Sequence, residues 1–447
     1  MRSAPKQSVR IPPERHRTTS AKFCILLYVF VLAGTSSALG QREEVLYRFS
    51  SGRDGSAPMT SLVSDPSGNL YGATYGGNQV FELSPPATPG APWTKTALYY
   101  FRMTHEDDNV ISVLTFDASG NLYGAASQDG ASGQGSVFRL TPPTSRGGGW
   151  TENVLYSFNG TVGSVPYGGV IFDKAGNIFG TTRDDYVGSY GTVYELSPPA
   201  AKGGAWTGTL LYRFAGSTDG CGPNGKLVFG ANGALFGTAV QCGGTQNLCF
   251  FGCGTVFELV PPALPGGTWT EQTIYEFQGG TDGDQPVNGL VADGKGNFYG
   301  ATQAGGGSCT TDDFACGTVF ELSPPTAPGG NWTEAIVYTF TGYGDGEGPQ
   351  GGVIIDRAGN LYGATTFGGN LSCYTNDGCG AVFELSPPAD QGGLWKETTL
   401  HTFTGPTDGA IPFGGLTLYE DTVLYGTTDG GGNCILYSCG TVFSVFP

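Results

Sequence analysis

Short apolar runs recur along the whole chain and are separated by turns rich in glycine, proline and aspartate. The clearest set lies at residues 352–356, 360–366 and 379–385, with a fourth run that ends at residue 403. Runs of this length, bounded by Gly and Pro, are typical of strands. Asp356 and Gly359 occupy the first and fourth positions of a tight turn between the first two runs. The pattern predicts units of four short antiparallel strands, the composition of a propeller blade.

The second strand of each unit carries a motif that occurs seven times. Its first copy reads Gly-Asn-Leu-Tyr-Gly-Ala-Thr at residues 68–74, and its last copy, at residues 422–426, is degenerate. The glycines that follow the aromatic residue are spaced by 52, 56, 57, 63, 63 and 63 residues, at Gly72, Gly124, Gly180, Gly237, Gly300, Gly363 and Gly426. A strand-filled period of this size indicates a propeller or a solenoid, not a string of separate domains.

The two ends of the repeat array complement each other. A fourth-strand pattern, aliphatic-Tyr-x-Phe, occurs first at residues 46–49, before any complete unit, whereas the last unit stops after its third strand at residues 440–446. The N-terminal strand therefore supplies the missing outer strand and leaves no unpaired edge. We predict an all-β fold over residues 43–447: a single seven-bladed β-propeller of four-stranded antiparallel blades, closed by the N-terminal strand pairing into the last blade.

The combined motifs GNLYGAT, GTVFELSPP and VLYxF resemble the Gloeo/Verruco tandem repeat of exported "choice-of-anchor" bacterial proteins. The third-strand motif is clearest at residues 191–199 and 317–325, and the likeness runs from about residue 43 to residue 447. The resemblance implies an exported repeat protein of undefined activity and carries over no catalytic residues. Such proteins often have a C-terminal sorting or anchoring segment, whereas this sequence ends on its last predicted strand at Pro447, a departure that does not favour surface anchoring. A looser likeness to NHL-type propellers bears on the fold alone.

Residues 1–40 are predicted to be a signal peptide with a basic leader. Basic residues precede an apolar run at residues 23–32, and mostly small residues follow it. The alternative is an uncleaved anchor. No second long apolar segment follows, so we expect no later membrane span and an exported protein that is secreted, periplasmic or at the cell surface.

The chain is acidic, with a formal net charge of −17. Residues 1–40 hold six basic residues and one acid, so the remainder carries −22. An acidic surface disfavours nucleic acid and anionic membranes as partners. We expect a monomer with an extracellular protein or polysaccharide ligand.

Ten of the eleven cysteines follow the signal. An even number in an exported chain predicts disulfide bonds. Local pairs are expected in the last three repeats, and three connectivities remain open for the four cysteines of the fourth repeat. Zinc binding is the alternative, but the drifting spacing of the pairs does not favour it. The predicted disulfide residues are Cys221, Cys242, Cys249, Cys253, Cys309, Cys316, Cys373, Cys379, Cys434 and Cys439.

Two recurring residue types have both a functional and a structural interpretation. A tryptophan precedes the fourth strand in six units, where it stacks on a sugar or packs at the blade edge. An aspartate begins the first turn of most units and bonds the turn backbone, the role favoured over carboxylate chemistry. We expect structural roles for both sets, which are Trp93, Trp150, Trp206, Trp269, Trp332 and Trp395, and Asp65, Asp117, Asp173, Asp293 and Asp356.

The loop that follows the fourth strand is the candidate binding site. It contains Asp-Gly in most units and lies at the same end as the long, cysteine-bearing loop between the second and third strands. Loops on a rigid scaffold commonly bind ligands, and carboxylate oxygens suit Ca²⁺. The alternative is solvated turns. The candidate ligand-binding residues are Asp54, His105, Asp108, Asp219, Asp282, Asp284, Asp345, Glu347 and Asp408.

Catalytic signatures are scarce after residue 40. The histidines there are His105 and His401, and no nucleophile, zinc-protease or phosphate-loop motif stands out. We therefore expect no cofactor apart from Ca²⁺, and a non-catalytic binding or scaffold protein that uses the acidic, disulfide-bearing loop face. One alternative is a carbohydrate-active hydrolase or lyase that uses carboxylates on that face. The other is a structural cell-surface component.

Overall fold

The structure of the protein is a computed structural model. The predicted signal peptide, His105, Asp108, Cys309 and Cys434 lie outside the residues that it describes. Those residues are 43–101, 112–145, 148–184, 190–244, 249, 251–264, 266–307, 316–327, 329–373, 377–390, 392–433 and 439–447.

The described chain consists of short strands with 3₁₀ turns at Gly52–Asp54, Ala231–Gly233 and Gly280–Asp282. The strands of its first half are β1 (Glu43–Arg48), β2 (Val63–Ser64), β3 (Leu70–Thr74), β4 (Gln79–Ser84), β5 (Thr94–Tyr100), β6 (Thr115–Phe116), β7 (Leu122–Ala126), β8 (Ser136–Thr141), β9 (Thr151–Ser157), β10 (Ser164–Pro166), β11 (Ile171–Phe172), β12 (Ile178–Asp184), β13 (Thr192–Ser197) and β14 (Thr207–Arg213). Those of the second half are β15 (Cys221–Pro223), β16 (Val228–Phe229), β17 (Leu235–Gln241), β18 (Thr255–Val260), β19 (Thr270–Glu276), β20 (Asp284–Ala292), β21 (Phe298–Ala304), β22 (Thr318–Ser323), β23 (Thr333–Thr339), β24 (Val353–Ile355), β25 (Leu361–Thr365), β26 (Ala381–Ser386), β27 (Lys396–Thr402), β28 (Thr417–Tyr419), β29 (Val423–Thr428) and β30 (Thr441–Val445).

These strands form seven antiparallel sheets, which are the blades of a β-propeller. Blades one to seven are, in order, β2–β5, β6–β9, β10–β14, β15–β19, β20–β23, β24–β27, and β28–β30 with β1. In blades three and four the first strand is split into two short pieces that pair with the same second strand. The predicted all-β, seven-bladed fold is confirmed.

The N-terminal strand closes the ring, as predicted. Strand β1 pairs antiparallel with β30, from Glu43 opposite Val445 to Arg48 opposite Thr441. Phe49, which follows β1, is fully buried and its ring lies 5.3 Å from that of Phe81 in blade one. An equivalent aromatic pair joins the other blades in turn: Phe101–Phe138, Phe158–Tyr194, Phe214–Phe257, Phe277–Phe320, Phe340–Phe383 and Phe403–Phe443.

The hydrophobic core consists of seven clusters, each shared by two adjacent blades. Within a blade, the glycine of the hairpin motif makes room for the aromatic residue of the third strand. A Cβ at Gly72 would lie 2.7 Å from Leu62 and 2.8 Å from Phe81. Because each blade buries its faces against its neighbours, no blade has a core of its own, which is the behaviour of repeat architectures.

One backbone hydrogen bond recurs at the seams between blades. The residue before each loop proline donates its N–H to a carbonyl oxygen in the preceding blade, as Val165 does to Gln134 at 2.8 Å. At the seam between blades seven and one, Ala57 donates to Cys439 at 3.2 Å. The remaining described pairs are Gly222 with Tyr190, Gln285 with Cys253, Gly348 with Cys316, and Ile411 with Cys379.

The loop proline itself lies on the glycine that opens the third-strand motif of the preceding blade. A Cβ at Gly317 would lie 2.6 Å from Cδ of Pro349 and 2.5 Å from the carbonyl oxygen of Thr302. Glycine therefore occupies this position for a steric reason, because a Cβ atom does not approach neighbouring atoms this closely. The same contact exists for Gly135, Gly191, Gly254, Gly380 and Gly440.

Disulfide bonds stiffen the same seams in the later blades. Cys373 pairs locally with Cys379, as predicted. In blade four the open connectivity resolves to Cys221–Cys242 and Cys249–Cys253. Cys316 and Cys439 are also disulfide-bonded, and their predicted partners lie outside the described residues. Disulfides of this number are typical of exported proteins.

The recurring tryptophans pack between blades. Trp150 of blade two lies 6.2 Å from the ring of Tyr71 in blade one, and Trp395 of blade six lies 5.9 Å from Tyr299 in blade five. Trp93, Trp269 and Trp332 make the corresponding contacts, and Trp206 packs against the cluster between blades two and three. The structural interpretation of these rings is confirmed.

The aspartates of the first turn bond that turn. Asp65 accepts hydrogen bonds from the N–H of Ser67 and from the side chain of Asn69, each at 2.8 Å. The same bonds form at Asp117, Asp173, Asp293 and Asp356. Their predicted turn role is confirmed.

Candidate functional site: an axial cavity on the loop face

A cavity of about 1020 Å³ lies where the seven blades converge. Residues from every blade line it, and they come from the start of the first strand and the end of the second. These segments lie next to the loop after the fourth strand and the loop between the second and third strands. The cavity therefore opens on the loop face that the sequence singled out.

Two positions of the repeat each contribute a side chain to the cavity wall in six blades. One is the residue directly after the loop proline, which gives Met59, Tyr167, Asn224, Val287, Gln350 and Phe413. The other is the third residue after the glycine of the hairpin motif, which gives Tyr75, Ser127, Arg183, Val240, Gln303 and Asp429. The residue directly before each position is nearly constant, Pro at the first and Thr or Ala at the second, whereas the two positions themselves differ from blade to blade. A constant scaffold thus presents a set of varied side chains to one space.

The seam geometry positions the residue after the proline. The residue before the proline has a positive φ in six blades, including φ 56° at Val165 and 58° at Ile411. Such a conformation is a clear outlier for a β-branched residue. It persists because the N–H to carbonyl bond across the seam and the proline contact hold it. Backbone strain of this kind concentrates at functional sites, and here it borders the cavity.

Glycines allow neighbouring blades to approach closely at the cavity. Gly351 and Gly352 in blade six, and Gly414 and Gly415 in blade seven, precede the first strands, and Gly414 and Gly415 line the cavity. A Cβ at Gly415 would lie 2.6 Å from the carbonyl oxygen of Gly351, so the strands approach backbone to backbone. The side chain of Asn288 crosses from blade five and donates to the carbonyl of Gly351.

Lys226 of blade four takes the position that Gly169, Gly289, Gly352 and Gly415 take elsewhere. It donates to Thr115 of blade two at 3.2 Å. Burial lowers its pKa. The site therefore has a floor of glycine backbone crossed by a few long side chains.

Charge is sparse on the cavity wall. Arg183 and Asp429 are the charged side chains among its described lining residues. The guanidinium of Arg183 lies 5.8 Å from the ring of Tyr167. Burial raises the pKa of Asp429.

The aspartates of the loop after the fourth strand bond their own loop. Asp345 accepts a hydrogen bond from the hydroxyl of Tyr338 at 3.0 Å and another from the N–H of Thr341 at 2.9 Å. Equivalent bonds reach Asp54, Asp219, Asp282 and Asp408, and at Asp408 the ring of His401 replaces the tyrosine. Burial raises the pKa of Asp408, but the hydrogen bonds from His401 and Thr404 outweigh it and hold the pKa below its ordinary value.

None of the seven described candidate residues lines the cavity. Five are the loop aspartates above. Asp284 is half-buried at the start of β20, and the N–H of Glu347 bonds the carbonyl of Phe367. Their binding of an external ligand or of Ca²⁺ stays a prediction. A melting curve that does not shift in saturating Ca²⁺ would contradict the calcium prediction.

Asp284 lies against the disulfide of blade four. One of its carboxylate oxygens and the two sulfurs of Cys249 and Cys253 lie within 4.8 Å of one another. Its Oδ1 is buried with no hydrogen-bond partner among the described residues. Burial raises its pKa to about 6, although the N–H of Gln285 opposes this. Because the two sulfurs are bonded to each other, they are not the thiolates that a zinc site requires.

We expect Asp284→Asn to raise the melting temperature at pH 7.5 but not at pH 4. The pKa of Asp284 in the folded state, about 6, lies above the ordinary value of 3.8. Between pH 3.8 and pH 6 the folded protein therefore holds a proton on this carboxyl that the unfolded protein has lost. Stability from the neutral carboxyl is complete below pH 4 and is lost as the pH rises through 6. Asparagine stays neutral throughout. Melting curves across this range check the effect, and Asp390→Asn, in an exposed loop, controls for net charge. An equal shift at both pH values would contradict the assignment.

No helix of the described residues is long and apolar enough to cross a membrane.

The comparisons with solved structures show the propeller fold. A streptogramin B lyase is 14% identical with a TM-score of 0.50, over 92% of this chain and 99% of that one. A catalytically inactive virginiamycin B lyase from Staphylococcus aureus with quinupristin is 12% identical with a TM-score of 0.51, over 91% and 99%. The extracellular domain of a putative one-component system from B. thetaiotaomicron is 12% identical with a TM-score of 0.52, over 91% of this chain and 42% of that one.

No curated protein matches the chain. The Gloeobacter/Verrucomicrobia repeat matches it three times in overlapping segments, at residues 33–251, 110–327 and 245–447. These matches span the propeller from end to end, in agreement with the motifs that repeat in every blade. The chain belongs to the Gloeobacter/Verrucomicrobia repeat family.

Proposed function

We propose that this protein is an exported, non-catalytic binding protein that holds a small polar ligand in the axial cavity. Its location is outside the cytoplasm, as a secreted, periplasmic or cell-surface protein. The observation that carries the proposal is that two repeat positions contribute to the cavity wall in six blades each and carry a different side chain from blade to blade. Side chains that served only the fold would repeat with the scaffold around them.

The dimensions of the cavity support a small ligand. Its volume of about 1020 Å³ is at the upper end of the range of roughly 300–1,000 Å³ for small-molecule sites. It combines aromatic, aliphatic, amide and hydroxyl groups, as such sites do. The disulfides and the seam hydrogen bonds fix its rim, so ligand binding needs little ordering of the protein.

The carboxylates favour binding over glycoside hydrolysis. Hydrolysis of a glycoside needs two carboxyl groups that flank the scissile bond. Among the described residues that line the cavity, Asp429 is the one carboxylate. The loop aspartates already accept two or more hydrogen bonds each from their own loop.

The test is a thermal-shift screen of a mixed library of sugars, amino acids, nucleosides and short peptides. We expect at least one class to raise the melting temperature of the wild-type protein. Gln303→Trp fills the cavity from the second strand of blade five and is expected to abolish that shift. Lys295→Trp places the same ring on an exposed turn of the same blade and is expected to leave it unchanged. A shift that survives Gln303→Trp, or no shift with any class, would overturn the proposal.

A further inference from the structure

We infer that the ligand is a neutral oligosaccharide. This inference rests on the proposed function of the axial cavity and names the chemistry of its occupant. Three features of the wall carry it: an apolar side, an amide side opposite to it, and a near balance of charge.

The apolar side of the cavity is formed by blades seven and one. Phe413 and Met59 follow the loop prolines of these blades, and Tyr75 directly follows the second strand of blade one. Tyr167 of blade three adds another ring. All four side chains are partly exposed. Flat rings at a water-filled surface suit the apolar faces of sugar rings, and they lose little conformational entropy when they bind.

The amide side is formed by blades four to six. Asn224, Gln241, Gln285, Gln303 and Gln350 line it. The side chains of the four glutamines have no hydrogen bond to another described residue. The Oδ1 of Asn224 is buried and lacks a partner among the described residues.

Each of these amides offers both a donor and an acceptor, and each sugar hydroxyl needs both. A buried oxygen without a partner costs free energy until a ligand pairs with it. The amide side thus provides hydrogen bonds for the hydroxyl edge of a sugar whose face lies on the rings opposite.

The near balance of charge on the cavity wall favours a neutral ligand. The chain carries −17 in total, yet the described lining residues include one cation, Arg183, and one carboxylate, Asp429. They lie in blades three and seven, outside the blades that form the amide side. A polyanionic or polycationic ligand would have to give up its hydration against uncharged amides, which strongly disfavours it.

The length of the ligand follows from the size of the cavity. The apolar and amide sides belong to different blades, and the cavity that they line has a volume of about 1020 Å³. A single sugar ring turns only some of its hydroxyls toward one side of the cavity, so it cannot pair with all five amides while it stacks on the rings. Several linked rings satisfy both sides.

The inference is tested with an array of neutral, uronate-containing and amino-sugar oligosaccharides, followed by calorimetric titration of any that bind. We expect retention of a neutral oligosaccharide without release of shorter products. Gln303→Ala and Tyr75→Ala are each expected to weaken binding about tenfold or more. Tyr75→Phe keeps the ring and is expected to retain most of the affinity. Gln272→Ala, at an exposed glutamine of β19, is the matched control and is expected to bind like the wild type.

The other outcomes separate the inference from the proposed function. Binding of uronate-containing sugars alone, lost in Arg183→Met, would overturn the neutral class and leave the cavity as a binding site. A non-sugar ligand whose thermal shift is lost in Gln303→Trp would overturn the saccharide inference in the same way. Sugar binding that Gln303→Trp does not affect would overturn both.

Discussion

Deleting residues 43–50 is expected to lower the melting temperature sharply and to cause aggregation. The deletion removes β1, so the edge of β30 loses its partner from Glu43 to Arg48. An unpaired edge of this kind is a template for pairing with another chain. The deletion also removes Phe49, which is fully buried between blades seven and one. Melting curves with simultaneous light scattering measure both effects.

A milder variant keeps this prediction testable if the deletion does not fold. Phe49→Ala leaves β1 in place and is expected to cost about 3–5 kcal/mol of unfolding free energy. Phe446→Ala is the control because Phe446 is 43% exposed in the same blade, and we expect a much smaller cost. Equal stability of the wild type and the deletion variant, with no aggregation, would contradict closure by the N-terminal strand.

Gly317→Ala is expected to destabilise the protein by about 2–5 kcal/mol. The φ of Gly317 is +86°, a conformation that costs an L-residue roughly 1–2 kcal/mol. The added methyl group would also meet Pro349 of the next blade and the carbonyl of Thr302, and overpacking of this kind costs about 1–3 kcal/mol more. Denaturant unfolding of wild type and variant measures the sum.

Gly329→Ala separates the two causes. Gly329 has a similar φ of +76° in the same blade, but a Cβ there meets nothing within 4 Å. We expect it to lose only the conformational part, about 1–2 kcal/mol. If Gly317→Ala and Gly329→Ala cost the same, the contact between the seam glycine and the loop proline contributes nothing to stability.

The fold could be read from the sequence because its determinants are local and repeated. The hairpin glycine, the turn aspartate and the Pro-Pro end of the third strand each specify a turn or a strand end within a few residues. The closure by β1 also followed, since the aliphatic-Tyr-x-Phe pattern precedes the first complete unit. The residue that each tryptophan contacts could not be predicted from the sequence, because Trp150 and Tyr71, for example, meet across a seam between two blades.

From the sequence, the candidate site could be assigned to the loop face of the propeller but not to the residues that line the axial cavity. The Asp-Gly loops drew attention because carboxylates are common ligands, yet each aspartate lies seven residues after the tyrosine or histidine to which it bonds. That constant spacing was visible in the sequence and marks a loop-fixing role. The cavity residues, such as Tyr75 and Gln303, were missed because each takes an unremarkable place in its own unit. Comparison of the units position by position would have shown that these places vary while the Pro, Thr or Ala directly before them repeats.

The similarity of the contacts between adjacent blades has a consequence for the connectivity of the chain. The bond from Ala57 to Cys439 and the ring pair of Phe49 with Phe81 make the junction of the chain ends like the other junctions at which both contacts are described. We therefore expect covalent continuity through any one blade to be dispensable. A circular permutant that joins the strands at Glu43 and Val445 through a short linker and opens between Gly203 and Gly204, in an exposed loop of blade three, would encode the same ring. The observed order of the blades along the chain is therefore one of seven circular permutations that would form the same ring.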